Sequence, residues 1–223
     1  PTGAKRTAMG IVLKRRDNAP IVKDVYGGII DILMKDQNIE KAADYLKECL
    51  QNIIDEKYPL EKLIISKSLR SNYKNPAQIA HKVLADRMGE RDPGNKPSNG
   101  DRIPYVYINT KNKNALQGDK IEHPEYIRKN KIKPNYTFYI TNQIMKPVQQ
   151  VFALVLEKME KFKRKKNNFM MKIETLKQTM EDHEKCIAKI NDLRNKEVKI
   201  LLFDQYLRET TNNVAGNQSI KNF

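Results

Sequence analysis

Apolar side chains return every three or four residues in one stretch of this chain after another. That period sets what the chain can fold into more firmly than any single motif. Val22, Val25, Tyr26, Ile29, Ile30 and Leu33 share one face of a helix over residues 21–33. Ala42, Ala43, Leu46, Leu50, Ile53 and Ile54 do the same over residues 39–54. A third helix opens at Asn75–Pro76, with proline in its first turn, turns Ile79, Val83, Leu84 and Met88 inward, and ends before Asp92–Pro93–Gly94. From Tyr136 the period resumes through Phe138, Ile140, Ile144, Val148, Val151, Phe152, Val155 and Met159, and Pro147 is expected to kink or divide this helix. Ile173, Leu176, Met180, Ile187 and Ile190 then recur at coiled-coil spacing, with His183 interrupting one core position. Gly27 and Gly28 weaken the first helix but give another element room to approach.

Strand signals are few. Gly10–Val12–Lys14 reads as a short strand ending in a turn at Asn18–Ala19–Pro20, and residues 60–66 as a short strand or buried turn. Ile103–Pro104–Tyr105–Val106–Tyr107–Ile108 alternates in strand fashion, and Pro104 implies an edge position. The expected fold class is mainly α with a few short β-strands (α+β). From Thr210 the chain is rich in Asn and reads as a mobile tail. The chain opens on Pro1 rather than Met, which reads as a piece of a longer protein.

Charge narrows the function. Lys and Arg number 42 against 27 Asp and Glu, a net charge of +15 and a pI near 9.6. Such a surplus repels itself unless a polyanion screens it, and nucleic acid is the usual partner. An anionic membrane fits less well, because the basic residues are scattered and no segment is long and apolar enough to span a bilayer. Cys49 and Cys186 are too few for a four-cysteine zinc site, and His81, His123 and His183 lack finger spacing, so no metal site is expected. An intracellular, reducing setting suits two buried thiols.

Phosphoryl-transfer chemistry on two metal ions needs closely spaced carboxylates on a strand and turn. None is present, and no P-loop, Gly-x-Ser-x-Gly or His-Glu-x-x-His occurs. No catalytic residue is assigned. Lys14–Arg15–Arg16 precedes the Asp17–Asn18 turn and the helix start at Pro20, so its guanidinium groups can fork onto phosphate oxygens. A solvated surface run is an equal reading of the same residues.

Several blocks carry a family resemblance. GIVLKRRDNAPIV (residues 10–22) resembles the segment that closes the palm of delta-like family B DNA polymerases and enters the thumb. LEKLIISKSL (residues 60–69), Ala77 through His81, Leu84 through Met88, and Arg91–Asp92–Pro93–Gly94 are similar to that family's thumb helix and loops. Gly100–Asp101–Arg102–Ile103–Pro104–Tyr105–Val106 resembles a further thumb block, and Tyr139 through Gln143, Lys146–Pro147 and Phe152 its final shared helix. The nearest flavour is the polymerase of a large DNA virus.

The resemblance implies a thumb that holds primer–template duplex through backbone phosphates, which position without specifying sequence. Lys14 joins Arg15, Arg16, Lys67, His81, Arg87, Arg91 and Arg102 as expected DNA contacts. Asp17 and Asp101 are expected to orient neighbouring arginines, and Tyr105 is as well explained by core packing as by DNA. The implied division is a palm edge over 1–20, a thumb over 21–156, a basic helical extension over 157–209 and a tail over 210–223. The catalytic aspartates, the fingers and the two Mg²⁺ ions of the whole enzyme are expected outside this chain. Work in the nucleus or in a viral replication compartment of the host cytoplasm follows. The run Lys161–Lys166 either extends the duplex grip or forms a solvated face. The rival reading is a stand-alone basic helical scaffold for nucleic acid that dimerises through its coiled-coil segment.

The last residues, Asn217–Gln218–Ser219–Ile220–Lys221–Asn222–Phe223, resemble a sliding-clamp peptide, with Ile220 and Phe223 three apart so that both enter one pocket. Asn217 stands where Gln is usual, and only one terminal aromatic is present. On that reading Phe223→Ala weakens clamp binding in a peptide titration, and unchanged affinity removes it.

Overall fold

The computed structural model describes residues 12–219. The chain forms two compact units, each assembled from separated stretches. The first holds residues 12–23 and Tyr58–Tyr139, and the second holds Asp24–Lys57 and residues 140–219. The chain passes between them within helix α1 (Pro20–Asp31), between Lys57 and Tyr58, and within a π-helical turn, Tyr139–Ile144.

In the first unit a three-stranded antiparallel sheet runs in the order β1 (Ile65–Ser68), β2 (Arg102–Tyr107), β3 (Ile121–Glu122). β1 and β2 pair Ile65 with Tyr105, Ser66 with Pro104, Lys67 with Ile103 and Ser68 with Arg102. β2 is therefore the central strand, not an edge. Pro104 is tolerated because β3 reaches only Val106 and Tyr107, so no ladder bond on that side calls for the amide proton proline lacks. Leu63, Ile65, Ile103, Tyr105, Val106 and Ile121 are buried in this unit, helix α3 (Ala80–Arg91) adds Leu84 and Ala85, and helix α4 (Pro124–Asn130) adds Ile127. Tyr139 is fully buried, donates its hydroxyl to the Leu63 carbonyl at 2.6 Å and accepts the Tyr107 amide at 3.1 Å. α3 is preceded by a separate 3₁₀ turn, Pro76–Gln78.

Residues 12–14 form a helical turn and not the expected strand; the Asn18 side chain donates to the Val12 carbonyl at 3.3 Å and folds the segment back on itself. Gly10 lies outside the described residues, as do Ile220 and Phe223.

The second unit is helical. Helix α2 (Ile39–Ile54) buries Leu46, Leu50 and Ile53, and its Asn38 cap accepts the Lys41 amide at 3.0 Å. Gly28 of α1 admits the Tyr45 ring, since a Cβ there would lie 2.3 Å from it, and Tyr45 donates its hydroxyl to the Asp24 carbonyl at 3.0 Å. The expected break at Pro147 takes the form of the π-helical turn Tyr139–Ile144 just before α5 (Met145–Ala153). Proline cannot donate to the carbonyl four residues back, and the wider turn absorbs the mismatch.

Helices α6 (Lys163–Thr179) and α7 (His183–Leu202) form a hairpin. Asp182 caps α7 by accepting the Lys185 amide at 3.1 Å. That cap ends the coiled-coil frame, so His183 begins a new helix instead of occupying a core position. Phe169 and Ile173 on α6 and Cys186, Val198 and Leu202 on α7 are buried, while Ile187, expected inside, is 46% exposed. Where the sequence suggested a mobile tail from Thr210, α8 (Asp204–Ser219) continues as helix beside α2. Thr210 and Thr211 satisfy their hydroxyls on the Leu207 carbonyl, so they do not break it.

Close packing in the first unit makes one test simple. Gly118 is buried against α3, and a Cβ there would sit 2.5 Å from the Val83 Cβ, an atom fixed to the helix backbone. Gly118→Ala is expected to lower unfolding free energy by about 1–3 kcal/mol in urea titration.

Candidate nucleic-acid interface

The β1–β2 register fixes the site. It sets Ser68 opposite Arg102 and Lys67 opposite Ile103 at the exposed end of β1, while the turn before α1 delivers Arg16 and Asp17. Together with Arg70, Tyr73 and His81 they line one open cleft of about 410 Å³ in the first unit. Arg102 donates to the Ser66 carbonyl at 3.0 Å and to the Ser68 hydroxyl at 3.3 Å. Both partners are neutral, so its position is fixed while its charge is left intact. Among the described residues none of Arg16, Lys67, Arg70 and Arg102 makes an ion pair.

The single carboxylate at the cleft is already committed. Arg15 grips Asp17 with two donors at 2.9 and 2.5 Å. This hydrogen bonding holds the Asp17 carboxyl below its usual range against the opposing effect of partial burial, and Lys67 adds to the lowering. Asp17 thus orients an arginine, and that arginine is Arg15. Lys14 is exposed.

His81 stands at the back of the cleft. Its Nε2 lies 3.0 Å from the Tyr73 hydroxyl and 3.2 Å from the Ser68 carbonyl. Burial lowers its pKa; the Ser68 carbonyl opposes that, and Lys67 and Arg70 reinforce it. The ring is therefore held neutral at pH 7.

Arg87 and Arg91 are drawn elsewhere. Glu122 is a buried carboxylate, 4% exposed. Arg91 donates to its Oε1 at 2.7 Å and lays its guanidinium over the Tyr126 ring at 3.5 Å. Arg87 donates to the Gly118 and Ile121 carbonyls at 3.1 and 2.8 Å, with Nε 3.5 Å from Glu122. Burying a carboxylate without such partners is costly, so these arginines hold the sheet to α3. Asp101 does not orient Arg102; it accepts the Ser98 amide at 2.9 Å and the Ser98 hydroxyl at 3.3 Å. Tyr105 is core, 3% exposed. Sequence reading missed Arg70, Ser66 and Ser68, whose convergence depends on strand register, and the only signal for it was the alternation of the two strands.

Among the described residues no group of three or more His, Cys, Asp or Glu side chains is placed to hold a metal ion. Asp17 and Asp101 each serve a separate local bond. No helix among the described residues is long and apolar enough to cross a membrane.

Residues 2–155 match the family described as DNA polymerase family B. The DNA polymerase of Pyramimonas orientalis virus is 51% identical over 222 residues, covering 98% of this chain and 18% of that protein. The DNA polymerase of Acanthamoeba polyphaga mimivirus is 55% identical over 155 residues, 67% of this chain and 9% of that protein. The DNA polymerase delta catalytic subunit of Caenorhabditis elegans is 35% identical over 153 residues, 68% of this chain and 14% of that protein. The chain belongs to DNA polymerase family B and is nearer in sequence to these two viral members than to the delta subunit. It spans less than a fifth of the length of each of these relatives.

The two groups of arginines separate in experiment. Arg91→Ala removes the closest partner of a buried carboxylate and is expected to cost about 3 kcal/mol of stability. Arg102→Ala, at an exposed site, is expected to stay within about 0.5 kcal/mol in the same urea titration. A further expectation concerns pH. Because His81 is depressed below its ordinary value of 6.5, its contribution to stability is complete above that pH and is lost as pH falls toward the lowered value. His81→Gln should flatten the fall in melting temperature between about pH 7 and pH 5.

Proposed function

We propose that this chain is the thumb region of a DNA-directed DNA polymerase and grips primer–template duplex through its phosphates during DNA replication. One observation carries the reading: Arg16, Lys67, Arg70 and Arg102 converge on one cleft whose only carboxylate is neutralised by Arg15. A concave wall of uncompensated cations suits a sugar–phosphate rail, and the absence of a specific acceptor set suits an enzyme that must accept any sequence. Family membership supports it, since phosphate contacts that leave base edges unread allow the protein to advance along the duplex.

Within this reading, residues 1–20 close the palm, 21–156 form the thumb, 157–209 extend it with a basic helical segment and 210–223 carry a clamp-binding peptide. Nucleotidyl transfer belongs to the whole polymerase, where two Mg²⁺ ions would be held by carboxylates of the palm outside this chain. The palm and fingers of the same polypeptide are its immediate partners, and its setting is the nucleus or a viral replication compartment in the host cytoplasm. The duplex contacts assigned here are Arg16, Lys67, Arg70 and Arg102, with His81 positioning the strand that bears Ser68. Arg87 and Arg91 take a supporting role.

Each phosphate neutralised releases counterions, so affinity should fall steeply with salt. Arg16→Ala and Arg102→Ala are each expected to weaken duplex binding to a similar extent on unrelated sequences and to make the slope of log K against log salt shallower by about 1. Anisotropy titrations on two duplexes of different sequence read both quantities. A loss confined to one sequence contradicts a phosphate grip.

A further inference from the structure

The hairpin of the second unit carries a surface that duplex binding does not explain. Along one side of α6 and α7 runs an open groove of about 640 Å³. Met171, Lys172 and Leu176 line it from α6, and Lys189 and Leu193 from α7. On α6 Asn168, Met171, Lys172, Thr175 and Leu176 follow an i, i+3, i+4, i+7, i+8 pattern, and on α7 Lys189 and Leu193 are four apart, so each helix offers one side to the groove. α6 already buries a different side through Phe169 and Ile173. It is therefore apolar on two sides, one more than its own packing uses. Met171 is 68% exposed, a large apolar surface for a folded protein to leave in water. Methionine is also the side chain best able to mould itself to a ligand.

Charge decides what fits. The lining contains two lysines and no carboxylate. Among the described residues neither Lys172 nor Lys189 makes an ion pair, whereas nearby Lys165 and Lys185 are matched to Glu197 and Asp182. We propose that this groove docks an amphipathic helix of another protein, whose apolar stripe covers Met171, Leu176 and Leu193 and whose flanking Asp and Glu residues meet Lys172 and Lys189. Helix-in-groove recognition uses this combination of an apolar floor and complementary charge at the rim. A second copy of this chain fits poorly, because a two-fold contact would set Lys172 and Lys189 against like charges. Nucleic acid would satisfy the lysines and leave the apolar floor wet. The inference concerns the second unit alone and is independent of the phosphate cleft.

The test uses the whole chain and a defined probe. The probe is a fluorescein-labelled, stapled helical peptide with leucines at i, i+3, i+4 and i+7 and glutamates on either side of that stripe. A matched peptide carries lysines in place of the glutamates. The glutamate peptide is expected to bind saturably and at least about tenfold tighter than the lysine peptide. Met171→Asp, at an exposed position, should weaken it by about tenfold or more while duplex affinity stays unchanged. The exposed pair Lys172→Glu with Lys189→Glu should reverse the preference between the two peptides, which decides the matter even if Met171→Asp disturbs the helix. The proposal is overturned if the glutamate peptide shows no saturable binding or if both peptides bind alike. It is also overturned if Met171→Asp reduces duplex affinity in a chain of unchanged helicity. A dimer of the unmodified chain that Met171→Asp dissociates in sedimentation equilibrium would assign the groove to a second copy and overturn it as well.

Discussion

The antiparallel pairing of β1 with β2 is the interaction on which the candidate site depends. Four residue pairs link two stretches more than thirty residues apart in sequence, and they place Ser68 beside Arg102. From that register follow the neutral hydrogen bonds that hold the Arg102 guanidinium and the position of the Ser68 carbonyl against His81. A slip of one residue would part Arg102 from Ser68 and set the buried Ile65 against the wrong face of β2. Register is secured from inside, since Ile65, Ile103 and Tyr105 alternate into the core beneath.

The same unit shows how a basic chain divides its cations between two tasks. Arg87 and Arg91 compensate the buried Glu122, and the charge they bring is consumed within the fold. Arg15 is consumed by Asp17 at the surface. What remains for an external polyanion is the set held by neutral groups or by none. Arginine suits both tasks, because its fork serves a carboxylate, a backbone carbonyl or a phosphate equally well.

Helices with strong apolar period were legible from the sequence. Leu46, Leu50 and Ile53 lie where a period of 3.6 puts them, and Gly28 makes room for Tyr45 as an open position in a helix should. The strand at residues 103–108 was visible from alternation, but its central place was not, because Pro104 signals only that one side lacks a partner. Ile187 was misplaced because a capping aspartate, Asp182, restarts the helical frame, which a heptad count overlooks. The site was half legible. Arg16, Lys67, His81 and Arg102 followed from motif resemblance, whereas the inward turn of Arg87 and Arg91 follows from a buried glutamate in a two-residue strand that leaves almost no pattern.

On the proposed function, one face of the first unit binds duplex and the Arg91–Tyr126 face is structural. Photocrosslinking reads this directly. A benzophenone amino acid placed at Arg70, in the cleft, or at Lys129, beside Arg91 and Tyr126, reports which face the duplex touches. The account predicts backbone crosslinks from position 70 that weaken with salt, and few from position 129. Crosslinks from position 129 that equal or exceed those from position 70 would contradict it.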